Sequence, residues 1–144
     1  MLRDELVAYL DSYLRIGEIA DYGPQGLQVE GKVEVRKIVA LVDSHQPCAE
    51  AALAHGADLM LVHHGLFWGH EKRIAGGFGK LVRTFIRNDL NLYAAHLSLD
   101  AHPEVGNNAE LARLLGLTVT EWWGSAKGTP IAALAEYPEP ISME

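Results

Sequence analysis

The sequence predicts an α/β fold: a mixed, mainly parallel sheet with helices on both faces. Three observations point there. Short apolar, β-branched runs recur at 37–43, 58–62 and 90–95, too continuous for strands with one wet face. Segments with helical spacing of apolar residues lie between them, at 47–55 and 79–88. Glycines punctuate the joints, as at Gly56, Gly65 and Gly116. A chain of 144 residues is sized for one domain. Right-handed crossovers would bring the carboxyl ends of the three strands to one edge, where α/β sheets hold their ligands.

Each element has its own signal. Leu2, Leu6, Tyr9, Leu10 and Tyr13 share one face of a helix over 2–14, with Arg3, Asp4, Glu5 and Asp11 opposite. Tyr22-Gly23-Pro24-Gln25-Gly26 is turn chemistry, followed by a short Leu27-Gln28-Val29 stretch that ends at Gly31. After the strand at 37–43, Ser44 is placed to cap a helix over 47–55, with Pro47 in its first turn and Gly56 as its stop. The strand at 58–62 runs into His63-His64-Gly65. Leu81, Val82, Phe85 and Ile86 mark the face of the helix at 79–88. Gly76-Gly77-Phe78-Gly79 lacks the Lys-Ser/Thr of a phosphate loop and reads as a flexible entry to that helix. The strand at 90–95 leads to His96 and Asp100, and Asn107 or Asn108 can cap a last helix over 109–115. Trp122-Trp123 sits in a late β-like stretch, either core or a subunit contact. Ser142 has the look of a helix cap with no helix after it. That leaves a loose polar tail or the first part of a longer protein.

Composition excludes several classes. Hydrophobic residues at 49% and charged residues at 22% support a buried core and exclude a disordered chain. A formal charge of -7 repels phosphate backbones and argues against sequence-independent nucleic-acid binding. No apolar run approaches the roughly 20 residues a membrane span needs, and the first segment lacks a signal-peptide core. The single cysteine, Cys48, cannot form an internal disulfide, has no adjacent base and reads as inert packing. A soluble cytoplasmic protein is expected. No Gly-x-Ser-x-Gly motif supports a serine hydrolase.

The chemistry concentrates in the seven histidines. Past the end of a strand, Gly65 makes a turn cheap, so His63 and His64 can lean into one crevice and each offer a nitrogen to a divalent ion. If the strands are neighbours, Asp100 and His96 reach the same edge, and a carboxylate can bridge two cations. The competing reading is plain: adjacent histidines at a strand end are often polar loop residues, and Asp100 could cap the turn at Pro103. His96, four residues before Asp100, suits a proton carrier, a partner that orients a ligand, or a structural hydrogen bond. Asp43 and His45 end the first strand on the same edge, and His70 reads as a surface residue.

The run Asp58-Leu59-Met60-Leu61-Val62-His63-His64-Gly65-Leu66-Phe67-Trp68 resembles the NIF-three-like (NGG-one-interacting-factor-like) dinuclear metal family, whose members often carry the name GTP cyclohydrolase I type 2. Gly26-Leu27-Gln28-Val29-Glu30-Gly31 looks like its N-terminal motif. His96-Leu97-Ser98-Leu99-Asp100, with Gly106-Asn107-Asn108, looks like its second ligand segment. The resemblance implies that His63, His64 and Asp100 are ligands of two divalent metal ions, that the fold is α/β, and that the chain assembles into a ring-shaped homo-oligomer, a homohexamer. Gln25 stands where the family usually has Asn, a change expected to matter little for metal. The family completes its site with a His and a Glu four apart in a second half. No His-x-x-x-Glu follows Asp100, and His102 is the last histidine, so the chain matches the N-terminal half. Three side chains leave most positions of two ions to water, and such a half-site should bind weakly alone.

These readings lead to a metal-dependent hydrolase of a small, nucleotide-like substrate, with His96 as acid/base. Two other classes stand beside it: a metal-binding or metal-delivery protein without turnover, and a ring-forming scaffold or regulatory partner. Histidine with carboxylate suits Zn, Mn, Fe, Co or Ni.

Overall fold

Burial decides which apolar runs become the centre of the sheet. In the computed structural model, which describes residues 1–140 and Ser142, the first strand is β1 (Gly26–Val29), and β2 (Ile38–Asp43), β3 (Leu59–His64) and β4 (Asn91–Ala94) follow. They form one sheet in the order β1-β4-β3-β2. β2, β3 and β4 are parallel, while β1 joins β4 antiparallel at the far edge. The central pair carries the core: Leu59, Met60, Val62, Leu92, Tyr93 and Ala94 are all buried. β2 is an edge strand, and its Ile38 and Val42 stay exposed. The short Leu27-Gln28-Val29 stretch is thus a strand, and its reversed direction is what makes the sheet mixed.

Helices cover both faces, as the sequence predicts. On one face, α2 (Gln46–Ala54) and α3 (Gly76–Arg87) press Ala49, Ala52, Leu81 and Phe85 onto Met60, Val62, Leu92 and Ala94. On the other, α1 (Arg3–Tyr13) sets Leu6 and Leu10 against Leu59, Leu61, Tyr93 and Ala95. Full burial of a side chain such as Phe85 stabilises the fold by roughly 1.5–3 kcal/mol. After β4 come the single turn α4 (Leu97–Asp100), then α5 (Asn107–Leu114) and a separate antiparallel hairpin of β5 (Thr118–Trp123) and β6 (Ala132–Glu136). Trp122-Trp123 therefore belongs to that hairpin, outside the main sheet.

Several local expectations are corrected. The residue that caps α2 is His45, without a side-chain bond, and Ser44 is buried instead. α5 is capped by Gly106; Asn107 and Asn108 already lie inside its first turn and spend their side chains on Asp100 and on the Ile131 carbonyl. Gly76 to Gly79 form the first turn of α3 and are no loose entry. His63 and His64 are the last two residues of β3, so the strand carries them itself. Residues 143 and 144, where a helix capped by Ser142 would begin, lie outside the described residues. Among the described residues no helix is long and apolar enough to cross a membrane.

Candidate metal centre

The parallel strands bring their carboxyl ends to one edge, and the chemistry gathers there. His64 pairs in register with Asp43 at the end of β2, and the Ala95 amide just past β4 donates to the Val62 carbonyl. Although strand neighbours ordinarily face opposite ways, the rings of His63 and His64 lie 4.7 Å apart at the strand's end. The His96 ring joins them at 4.9 and 5.7 Å. One ring nitrogen from each of the three lies within 4.8 Å of those of the other two. Asp100, delivered by α4, meets this group through His63: its Oδ1 is 3.6 Å from His63 Nε2.

Each imidazole has the same partner arrangement. His63 Nδ1 faces the Ala95 carbonyl at 3.0 Å, His64 Nδ1 faces Asp43 at 2.8 Å, and His96 Nδ1 faces Asp21 at 2.8 Å. With every Nδ1–H donated to an oxygen, the Nε2 lone pairs are the ones left to face a cation. That is the usual support of a metal-binding histidine. Burial pushes the His63 imidazole below its ordinary range, against the pull of Asp100 and the Ala95 carbonyl, so the ring is neutral near pH 7. A neutral imidazole is the form that binds metal. Three imidazoles and a carboxylate fit a divalent transition ion by donor chemistry.

The scaffold behind the site comes from the turn at 21–25. Asp21, whose side chain is 3% exposed, accepts from His96 Nδ1 and from the Leu97 amide. Gln25 Oε1 accepts from the His96 amide, the Ser98 amide and the Ser98 hydroxyl, the last at 2.6 Å. Two side chains thus clamp the segment that carries His96. Gln25 thereby shapes the backbone that carries His96, a contact not visible in the sequence. Asp21 went unnoticed there because nothing in a lone aspartate before a turn marks it. Only the fold brings it to a histidine 75 positions later. Gly65 does a third job. Its missing side chain leaves the room that the Gln28 amide fills, and Gln28 Oε1 accepts from the Leu66 amide at 2.7 Å to hold the exit from β3.

Other candidates sort cleanly. Asp43 touches the group through His64, whereas His45 lines an open pocket beside it. That pocket holds about 330 Å³ and is walled by Asp43, His45, His64, Trp68, Lys72 and Phe78. His70 is exposed and stands apart from the group, as read from the sequence. His102 is buried and structural: its Nδ1 accepts from the Glu104 and Val105 amides, and its Nε2 lies 3.0 Å from the Tyr13 carbonyl. Burial raises the Cys48 thiol, which fits an inert side chain.

Comparison with known proteins agrees with this architecture. The chain is 49% identical over 142 residues to a protein of Deinococcus radiodurans named GTP cyclohydrolase 1 type 2 homolog, covering 99% of the chain and 54% of that protein. A Pyrococcus abyssi protein of the same name is 44% identical, covering 97% and 56%. Among solved structures, TTHA1606 from Thermus thermophilus superposes with a TM-score of 0.82 at 52% identity, covering 85% of this chain and 51% of that one. Protein ybgI, described as of unknown function, gives a TM-score of 0.88 at 44% identity, covering 98% and 56%. The chain spans about half the length of the curated relatives it matches. The family model for Duf34/NIF3 (NGG1p interacting factor 3) matches residues 1–144, and the chain belongs to that family.

Proposed function

We propose that this chain contributes one side of a dinuclear divalent-metal centre in a hydrolase of a small, nucleotide-like molecule. The observation that carries the reading is the gathering of His63, His64 and Asp100 at one strand edge, with each Nδ1 already engaged and a 330 Å³ pocket alongside. Pockets of that size hold small organic ligands. Bound divalent ions would supply the positive charge that acidifies a water and polarises an electrophilic carbon or phosphorus.

The residues do the rest. His63 and His64 hold the centre through Nε2, and Asp43 and the Ala95 carbonyl fix their ring orientation. Asn107 donates to Asp100 Oδ1 at 2.8 Å and steadies the carboxylate. Trp68 and Phe78 give the pocket apolar walls against which a flat ring can lie, and Lys72 stands at its rim. The name shared by the relatives makes GTP the first substrate to try. The metal-loaded full-length protein, mixed with nucleoside triphosphates, is expected to give product that disappears with chelator and with His64→Ala. Turnover that survives both changes would refute the reading.

His64 is 42% exposed in its side chain, and that openness favours a second reading, metal delivery without turnover. Transfer of bound zinc to an apo acceptor, with no product from any nucleotide, would decide for it. A ring-shaped homo-oligomer belongs to the same proposal, supported by the exposed apolar edge of β2; light scattering should give a mass near six chains.

A further inference from the structure

We propose that the start of α2, the Ser44 hydroxyl and Lys72 form a phosphate-binding subsite in the pocket beside the histidines. The inference rests on reading that pocket as the place where a nucleotide-like molecule binds, and it adds where the anionic end is held. All three groups lie outside the metal-binding side chains, and each brings its own observation.

The first is a hydroxyl without a partner. Ser44 is 6% exposed and lines the pocket, yet among the described residues its Oγ has no hydrogen-bond partner. Among those residues every side-chain oxygen or nitrogen sealed from solvent does have one, so the Ser44 oxygen opens onto the pocket. A buried hydroxyl left unpaired is destabilising, and a ligand oxygen placed there relieves it.

The second is the end of the helix. α2 is capped by His45, whose side chain makes no bond to the first turn. The first intrahelical bond runs from the Ala49 amide to the His45 carbonyl, so the Gln46 and Cys48 amides ahead of it have no acceptor within the helix. Pro47, between them, has no N–H to satisfy. Such an end carries partial positive charge and takes phosphate oxygens through its amides. Ser44 and His45, the two residues ahead of that turn, both line the pocket, so the helix opens into it.

The third is a fixed cation. Among the described residues Lys72 is the only lysine or arginine on the pocket wall, in a chain of formal charge -7. Its Nζ donates to the Leu66 carbonyl at 3.0 Å and lies 5.3 Å from the centre of the Phe78 ring. Those contacts anchor the ammonium and leave two of its three N–H bonds for a ligand. The acid on the wall, Asp43, is taken up by His64 Nδ1 at 2.8 Å. Trp68, its indole nitrogen held by the Gly65 carbonyl at 3.0 Å, remains as a flat wall for the base.

The test is binding of inorganic phosphate and of GMP, against guanosine, to the full-length protein, read by calorimetry. The wild type is expected to bind GMP at least about 10-fold more tightly than guanosine, as hydrogen bonds to a charged group give. Lys72→Ala and Ser44→Ala should each shrink that gap and weaken inorganic phosphate, whereas His64→Ala should leave both effects in place. Ser44→Ala should also keep the wild-type melting temperature, because no internal hydrogen bond is lost. Equal affinity for GMP and guanosine in the wild type overturns the subsite. So does a gap that survives both variants, or one that vanishes in His64→Ala alone, which puts the phosphate on the metal. Arsenate-soaked crystals of the wild type decide the place even if a variant fails to fold. The arsenic peak is expected within about 4–5 Å of Ser44 Oγ and the Gln46 amide, one As–O bond beyond hydrogen-bonding distance; a peak elsewhere overturns the subsite. Phosphate binding without metal-dependent turnover removes the hydrolase reading and leaves the subsite standing, and the converse result removes the subsite alone.

Discussion

The two ends of the parallel sheet use the same kinds of buried polar residue for different purposes. At the amino end, Asp58 accepts from Lys32 Nζ at 2.6 Å and from the Arg36 and Lys37 amides at 3.0 Å. Asn91, fully buried, donates to the Lys32 and Asp58 carbonyls and accepts from the Gly31 amide. Each of these hydrogen-bonding arms ends on a partner within the chain. At the carboxyl end, Asp21 and Gln25 are anchored just as firmly, yet the histidines they and Asp43 support keep one nitrogen aimed into a shared space. Buried polar groups whose partners are all internal hold the fold. At this end the network instead holds three imidazoles with one ring nitrogen of each within 4.8 Å of the others.

Breaking the amino end should give the largest effect on folding and none on metal. Asp58→Ala is expected to lower the unfolding free energy by about 2–3 kcal/mol, mostly from the two amides left without an acceptor, since Lys32 is half exposed and adds little. Urea unfolding measures it, and the affinity for Co²⁺ should not change. Breaking the carboxyl end should do the reverse. His64→Ala is expected to cost at least about 100-fold in Co²⁺ affinity while stability moves by no more than about 0.5 kcal/mol, as at other exposed sites.

Acid sharpens the same contrast. The Lys32 hydrogen bond, helped by the two amides, holds the Asp58 carboxyl below its usual range. Its folded value is therefore lower than its unfolded value near about 3.9, and stability from this group is complete above that pH and lost as pH falls through the folded value. Asp58→Asn should flatten that part of the acid unfolding curve. His63 is displaced downward as well, by burial, so the apo chain should lose stability as pH drops below about 6.5, where the unfolded histidine takes up a proton and the folded one resists. His63→Gln should remove that slope.

Smaller effects follow. Gln25→Ala should cost about 1–2 kcal/mol in urea unfolding, because the His96 and Ser98 amides and the Ser98 hydroxyl lose their acceptor. Lys72→Ala should leave stability within about 0.5 kcal/mol and change only the binding of an anionic ligand in the pocket, which nucleotide titration can read.

The fold and the centre were legible to different depths. Apolar runs at 37–43, 58–62 and 90–95 announced the parallel strands because a strand buried on both faces has little choice of residue. The antiparallel β1 was visible as a stretch, though its direction was not, since a four-residue strand carries no signal of its neighbour. β6, with Ala132, Ala133 and Ala135, has too little β preference to be seen at all. His63, His64 and Asp100 stood out because they sit in recognisable local runs. Asp21 and Gln25 lie 75 and 71 positions from the residue they hold, and no spacing rule spans that distance.

Diffraction from zinc-loaded crystals at the zinc absorption edge tests the central claim most directly. Anomalous peaks within bonding distance, about 2.0–2.1 Å, of His63 and His64 Nε2 and of the Asp100 carboxylate are predicted. Zinc peaks held elsewhere, more than about 4 Å from all three groups and so beyond any bonding distance, would contradict it.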